Sequence, residues 1–225
     1  MEEEKSLFSP GMEAFFAREK QDKLMRYRHL NRFCKKGQIV LAGSSLMEQF
    51  PIYELMQDFD LPLTIYNRGI GGYVSRDMLA ALDVQVLELA PSKLFINIGT
   101  NDIGNGIEDE LYANYETILR RVREALPRCK MYVMAYFPCN DRDDLGLPAA
   151  VKAGMFAHRT PRSILAANKK VQALAEKMGC TYIDVNRGLT DDRGLLKAEY
   201  CIDGVHFYAD GYVPVLENLR PYLEE

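Results

Sequence analysis

An α/β fold in three layers, with helices on both faces of a five-stranded parallel sheet, is the class this sequence predicts. Two observations carry it. Short, nearly continuous apolar runs rich in β-branched residues recur at wide intervals, as strands buried on both faces require. Segments with apolar residues at helical spacing fill the gaps, and such strand–helix alternation forms a parallel sheet with right-handed crossovers.

The predicted strands are Gln38–Ala42, Leu63–Tyr66, Leu94–Ile98, Met131–Tyr136 and Tyr182–Val185. Ahead of them, Met12–Phe33 reads as an amphipathic, rather basic helix, with Arg18, Lys20, Lys23, Arg26, Arg28 and Arg32 among Phe15, Phe16, Leu24, Tyr27 and Leu30. A helix packed on the domain with a solvated charged face is the simpler reading; docking to a membrane surface or a partner is the other. A helix over Ser75–Leu89 follows from Met78, Leu79, Leu82, Val86 and Leu89, with Ser75 and Asp77 as start signals.

Glu108–Leu126 carries Leu111, Tyr115, Ile118, Leu119, Val122 and Leu126 at the same spacing. Pro161–Met178 does so with Ile164, Leu165, Val171, Leu174 and Met178, and Gly179 stops it. Tyr208–Leu223 is the last helix. Cys139–Thr160 has no clear period and contains Asp141-Arg142-Asp143-Asp144, Gly146, Pro148 and Gly154. So long a connection is expected to be a functional or mobile loop. No repeat, low-complexity tract or linker divides the chain, which predicts one domain over 1–225 with an N-terminal helical extension at about 11–34.

At 225 residues the chain can bury a sizeable core, and 48% hydrophobic with 27% charged residues is the balance of an ordinary globule. A formal charge of −4 argues against a dedicated nucleic-acid binder. Met1-Glu2-Glu3-Glu4-Lys5 is acidic and lacks the apolar core of a secretory signal, and no run approaches a membrane span. Cys34, Cys129, Cys139, Cys180 and Cys201 are odd in number and form no Cys-x-x-Cys pair, which suits a reducing compartment. A cytoplasmic protein is the default expectation.

Four separated stretches hold the chemistry: Gly43-Ser44-Ser45-Leu46, Asn67-Arg68-Gly69-Ile70-Gly71-Gly72, Gly99-Thr100-Asn101-Asp102 and Asp203-Gly204-Val205-His206. They supply a hydroxyl, a glycine turn, a side-chain amide, and a carboxylate three residues before a histidine. Acyl transfer by a serine needs such parts: a nucleophile, a base, an orienter of the base and donors for the oxyanion. Each stretch alone has a plainer reading. Ser44 or Ser45 could cap a helix, the glycines could make a tight turn, Asn101 an Asx turn, and Asp203 a capped turn beside an exposed histidine. His29 and His158, the remaining histidines, have no carboxylate at a suggestive spacing. Asp102 and Asn67 read as turn and supporting residues.

In this order and spacing the four stretches resemble the SGNH (GDSL-like) hydrolases, over about Gln38 to Tyr212. The Gly69–Gly72 run is similar to that of platelet-activating-factor acetylhydrolase-like members. The resemblance implies a flavodoxin-like strand order 2-1-3-4-5 and a serine esterase. It makes Ser45 the nucleophile, with Ser44 where the family usually has Asp, His206 the base, and Asp203 its orienter. It also implies an oxyanion hole from the Ser45 and Gly72 backbone N–H groups and the Asn101 amide.

No phosphate loop, dinucleotide fingerprint or metal-ligand spacing is present in the sequence, so no cofactor and no metal are expected. The expected partner is a small-molecule ester, with a homo-oligomer left open. A short acyl group, such as acetyl, on a sugar or other polar alcohol is the favoured substrate, because no long apolar groove or lid-like insert is evident. The alcohol would meet Tyr73 and the Cys139–Thr160 loop. A lysophospholipase-type lipid acylhydrolase, acyl transfer to an acceptor other than water, and a non-catalytic binding protein on the same fold are the alternatives.

Overall fold

The carboxyl ends of three neighbouring strands lie level with one another, and this registration positions the site. In the computed structural model, which describes residues 10–225, the chain runs α1 (Pro10–Leu30), β1 (Ile39–Gly43), α2 (Ser45–Glu48), α3 (Ile52–Asp58), β2 (Ile65–Gly69), α4 (Ser75–Ala80), α5 (Leu82–Gln85), β3 (Lys93–Asn97) and α6 (Thr100–Gly104). It continues through α7 (Glu108–Ala125), β4 (Lys130–Met134), α8 (Ala149–Met155), α9 (Pro161–Lys177), β5 (Thr181–Ile183) and α10 (Ala209–Glu224). The strands form one parallel sheet in the order β2-β1-β3-β4-β5, as expected. Gly43 at the end of β1 pairs with Gly69 of β2 on one side and Asn97 of β3 on the other.

Both faces of the sheet are covered, and the strand sequences show why. Side chains alternate between faces. Val40 and Ala42 of β1 join Leu94, Ile96, Met131 and Val133 in the core beneath α4, α7 and α9. Ile39 and Leu41 point the other way and join Phe95, Tyr132, Met134 and residues of α10. There the Phe95 and Tyr132 rings stack with centroids 4.4 Å apart. Truncating a fully buried residue such as Leu41 to Ala would cost about 2–5 kcal/mol.

Four elements depart from the sequence expectation. The second strand starts at Ile65 and takes in Asn67 and Arg68, polar residues that are buried because neighbours satisfy them. Asn67 Nδ2 donates to Met47 O and Phe50 O, and Arg68 Nε donates to Asn31 Oδ1 at 3.1 Å. The helix expected over Ser75–Leu89 is broken into α4, α5 and a 3₁₀ turn at Leu87–Leu89. Arg121 of α7 donates to Leu79 O at 3.2 Å, so a side chain serves a carbonyl that a continuous helix would use itself.

The segment Cys139–Thr160 contains α8. Its end is fixed by the N-cap of α9, where Thr160 Oγ1 accepts from Ser163 N and Pro161 takes the first helical position. Finally, α1 does not present all its basic residues to solvent. Lys20 and Lys23 turn inward, while Phe15 and Met25 are exposed. Among the described residues no helix is long and apolar enough to cross a membrane.

Candidate active site

Ser45 is the first residue of α2, directly after the β1 end, with Ser44 at the N-cap in extended conformation. The Ser44 side chain makes no capping bond, and Ser45 Oγ lies 2.8 Å from His206 Nε2. Across the imidazole, His206 Nδ1 is 2.7 Å from Asp203 Oδ2. That contact fixes the tautomer, since only a protonated Nδ1 can donate to the carboxylate and leave Nε2 to accept from the serine. Residues 161 positions apart are thereby joined.

The turn carrying His206 is held by its own carboxylate. Asp203 Oδ1 accepts from Val205 N at 2.9 Å and His206 N at 2.8 Å. Gly204 between them has φ +87°, and a Cβ there would run into Asn140 O. The Asn140 N–H in turn donates to Gly204 O at 2.8 Å. Burial raises the Asp203 carboxyl, but the hydrogen bonds and charge of His206, with the Val205 N–H, outweigh it and hold the group below its usual range. Asp203 therefore stays ionised as a partner for the imidazole.

The glycine turn sits beside Ser45 because the chain can approach closely there. A Cβ on Gly69 would collide with the Glu48 backbone, and one on Gly71 would lie 3.7 Å from Ser45 Cβ. Gly71 N donates to Glu48 Oε2 at 2.6 Å, and Gly72 adopts φ +71°. From α1, Tyr27 Oη donates to Gly69 O at 2.7 Å and Lys20 Nζ to Gly72 O at 2.7 Å. Both ends of the turn are thus tied to the N-terminal helix.

Asn101 lies in the first turn of α6 rather than in an Asx turn. Its Nδ2 donates to Tyr73 O at 3.0 Å, which links the amide to the residue after Gly72. Its Oδ1 accepts from Arg159 Nη2 at 3.2 Å. Asp102 points inward, 1% exposed, and accepts from Ser75 N and Ser75 Oγ. Burial raises its carboxyl against those bonds.

Tyr73 is 3% exposed, and its phenol is pushed up to about 12 by burial and then by the Asp77 charge. It borders a cleft of about 1180 Å³ between α1 and the body, with Phe16, Lys20, Gly72, Arg76 and His158. Ser45 and His206 do not line this cleft, which meets the site at Gly72–Tyr73. Among the described residues no cluster of three His, Cys, Asp or Glu could hold a metal ion. The sequence reading did not find Arg159, Glu48, Lys20 or Tyr27. None belongs to a motif, and each acts on a residue distant in sequence.

A fold and site of this kind define a class, the α/β hydrolytic enzymes that attack esters. A family model described as GDSL-like Lipase/Acylhydrolase matches residues 53–213, taking in Gly72, Asn101, Asp203 and His206 and beginning after Ser45. The chain belongs to the GDSL-like lipase/acylhydrolase family and is a carboxylic ester hydrolase.

Among its relatives is a Streptococcus pneumoniae protein provisionally described as a platelet activating factor. It is 32% identical, with a TM-score of 0.84, over 94% of this chain and 96% of that one. The human platelet-activating factor acetylhydrolase IB subunit alpha2 is 23% identical over 201 residues, 85% of this chain and 80% of its own. An acetylxylan esterase from Geobacillus stearothermophilus shares the fold at a TM-score of 0.62 and 16% identity, over 85% of this chain and 96% of that one.

Proposed function

We propose that this esterase removes a short acyl group, acetyl foremost, from a sugar or other polar alcohol through an acyl-enzyme on Ser45. The observation that carries the reading is the chain of contacts Ser45 Oγ, His206, Asp203, with separations of 2.8 and 2.7 Å. Ser45 Oγ bonds to the ester carbonyl carbon while its proton passes to His206 Nε2, and Asp203 stabilises the imidazolium. The oxyanion is received by the Ser45 N–H, the Gly72 N–H and the Asn101 amide. The carbon–alkoxy bond then breaks, and the alcohol leaves with the proton from His206. Water repeats the sequence and frees the acid.

The acyl preference is supported by the names of two relatives, an acetylhydrolase and an acetylxylan esterase. Preference for a polar alcohol is supported by the cleft beyond Gly72 and Tyr73, where Lys20, Arg76 and His158 bring polar groups among Phe16 and Tyr73. In this reading Tyr73 meets the alcohol from that cleft. A cytoplasmic setting is supported by the five cysteines, all of them free.

Hydrolysis of p-nitrophenyl acetate, butyrate and octanoate, of acetylated sugars and of lysophospholipids tests the proposal, together with labelling by a fluorophosphonate. Acetyl esters should turn over fastest and Ser45 should label. Faster turnover of lysophospholipids would move the assignment to lipids, and an unlabelled, inert protein would leave only a binding role.

A further inference from the structure

Arg159 is a buried cation that, among the described residues, has no carboxylate within ion-pair distance, although the charge of Asp203 acts on it from farther away. Its side chain lies under the first turn of α6, with the residue 7% exposed, packed so closely on Gly104 that a Cβ there would strike the guanidinium. Nε and Nη2 donate to Thr100 O at 3.2 and 3.1 Å, Nη2 also to Asn101 Oδ1 at 3.2 Å, and Nη1 to Met155 O at 3.4 Å. All these acceptors are neutral. Burial of a charge is costly and is ordinarily offset by an ion pair, whereas Arg159 has only the more distant Asp203 charge to offset it. A brace for a five-residue helix needs no charge, so the cation calls for another reason.

Asn101 gives that reason. A side-chain amide can point either way, and here both ends are dictated. Oδ1 faces a guanidinium, which can only donate, and Nδ2 faces Tyr73 O, which can only accept. A flipped amide would set donor against donor and acceptor against acceptor. One N–H of Nδ2 is used on Tyr73 O and the other remains for a ligand. A charge-assisted bond to Oδ1 also polarises the amide and makes that N–H a stronger donor.

We propose that Arg159 is a positioning residue for ester hydrolysis, its guanidinium locking the Asn101 amide with the N–H toward the oxyanion and strengthening it. The inference rests on the reading of Asn101 as an oxyanion donor. The charge acts where negative charge develops, so the effect belongs in kcat rather than KM.

The test is a cycle of Arg159→Gln, Asn101→Ala and the double variant, with steady-state kinetics on p-nitrophenyl acetate and melting curves for each protein. Arg159→Gln should lower kcat by about tenfold to a hundredfold with KM within about twofold, below the loss for removing a whole oxyanion donor. In the Asn101→Ala background the same change should cost less than about threefold, because no amide is left to orient. Equal losses in both backgrounds would make Arg159 a structural brace and overturn the proposal, as would an Arg159→Gln protein with unchanged kcat.

A fully active Asn101→Ala would instead remove Asn101 from the oxyanion hole. That result fails the underlying reading at Asn101 while leaving the Ser45 and His206 tests untouched. Should Arg159→Gln not fold, Arg159→Lys, which keeps the charge and loses the fork, takes its place in the cycle. It should lower kcat in the wild-type background and cost less than about threefold in the Asn101→Ala background, and equal losses in both backgrounds, or an unchanged kcat, would overturn the proposal.

Discussion

Glu48 receives the Gly71 N–H on one carboxylate oxygen at 2.6 Å and the Lys23 ammonium on the other at 2.9 Å. The helix that starts at Ser45 therefore ends on a residue that holds the glycine turn, and α1 holds that residue. Glu48→Gln keeps an acceptor for Gly71 and should cost less than about threefold in kcat. Glu48→Ala leaves the N–H without its partner and frees the turn beside Ser45, where we propose the oxyanion is received, so a loss of about tenfold or more is expected. Esterase kinetics of the two variants decide it, and equal activities would mean that the turn does not depend on Glu48.

Only one of the two serines meets the imidazole. Ser45→Ala should remove at least about three orders of magnitude of kcat, while Ser44→Ala, which loses a buried hydroxyl with no capping bond, should keep much of the activity. Comparable losses in both would refute the assignment of the nucleophile.

Asp203 ionises below the usual carboxylate range, and the sign of its effect on stability follows from that. A carboxyl depressed in the folded state stabilises fully above its unfolded value of about 3.9, and the contribution is lost as pH falls through the folded value. Asp143, set to about 2 by hydrogen bonds from Arg193 and Asn140, acts in the same direction. Through these two groups the urea midpoint should decline as pH falls below about 4. Asp203→Asn and Asp143→Asn should each flatten the decline.

Gly204→Ala places a Cβ at φ +87° and against Asn140 O, inside the turn that spaces Asp203 from His206. The melting temperature should drop and kcat should fall with it, because the imidazole is displaced from Ser45. A variant with native melting and native kcat would show that the turn tolerates the strain.

Asp102→Ala leaves the Ser75 N–H and hydroxyl without their acceptor in a fully buried place, which should cost about 1–3 kcal/mol by urea unfolding. Burial raises the Asp102 carboxyl in the folded protein, opposite to Asp203. Its ionisation therefore lowers stability as pH rises above the unfolded value, against the trend set by Asp203 and Asp143, so the urea midpoint of Asp102→Asn should fall more steeply on acidification than that of the wild type.

The sequence by itself determined the alternation of strands and helices and the four stretches that bear the chemistry. Both are local signals. Apolar runs such as Leu94-Phe95-Ile96 mark a strand covered on both faces, and Asp203 reaches His206 across a turn its own carboxylate builds. Tertiary structure decided the rest, because the deciding partners are far along the chain. Arg121 takes Leu79 O and helps break a helix that is continuous by spacing alone. Asn67 and Arg68 enter a strand because Met47, Phe50 and Asn31 satisfy them. Lys20 and Tyr27, which read as a basic and an apolar residue of an amphipathic helix, close on the ends of the glycine turn. Arg159, unremarkable in a polar loop, is given its place by the N-cap of α9 and its partner by Asn101, 58 residues away. Periodicity reports which way a side chain faces within its own element; only packing fixes which distant group it meets.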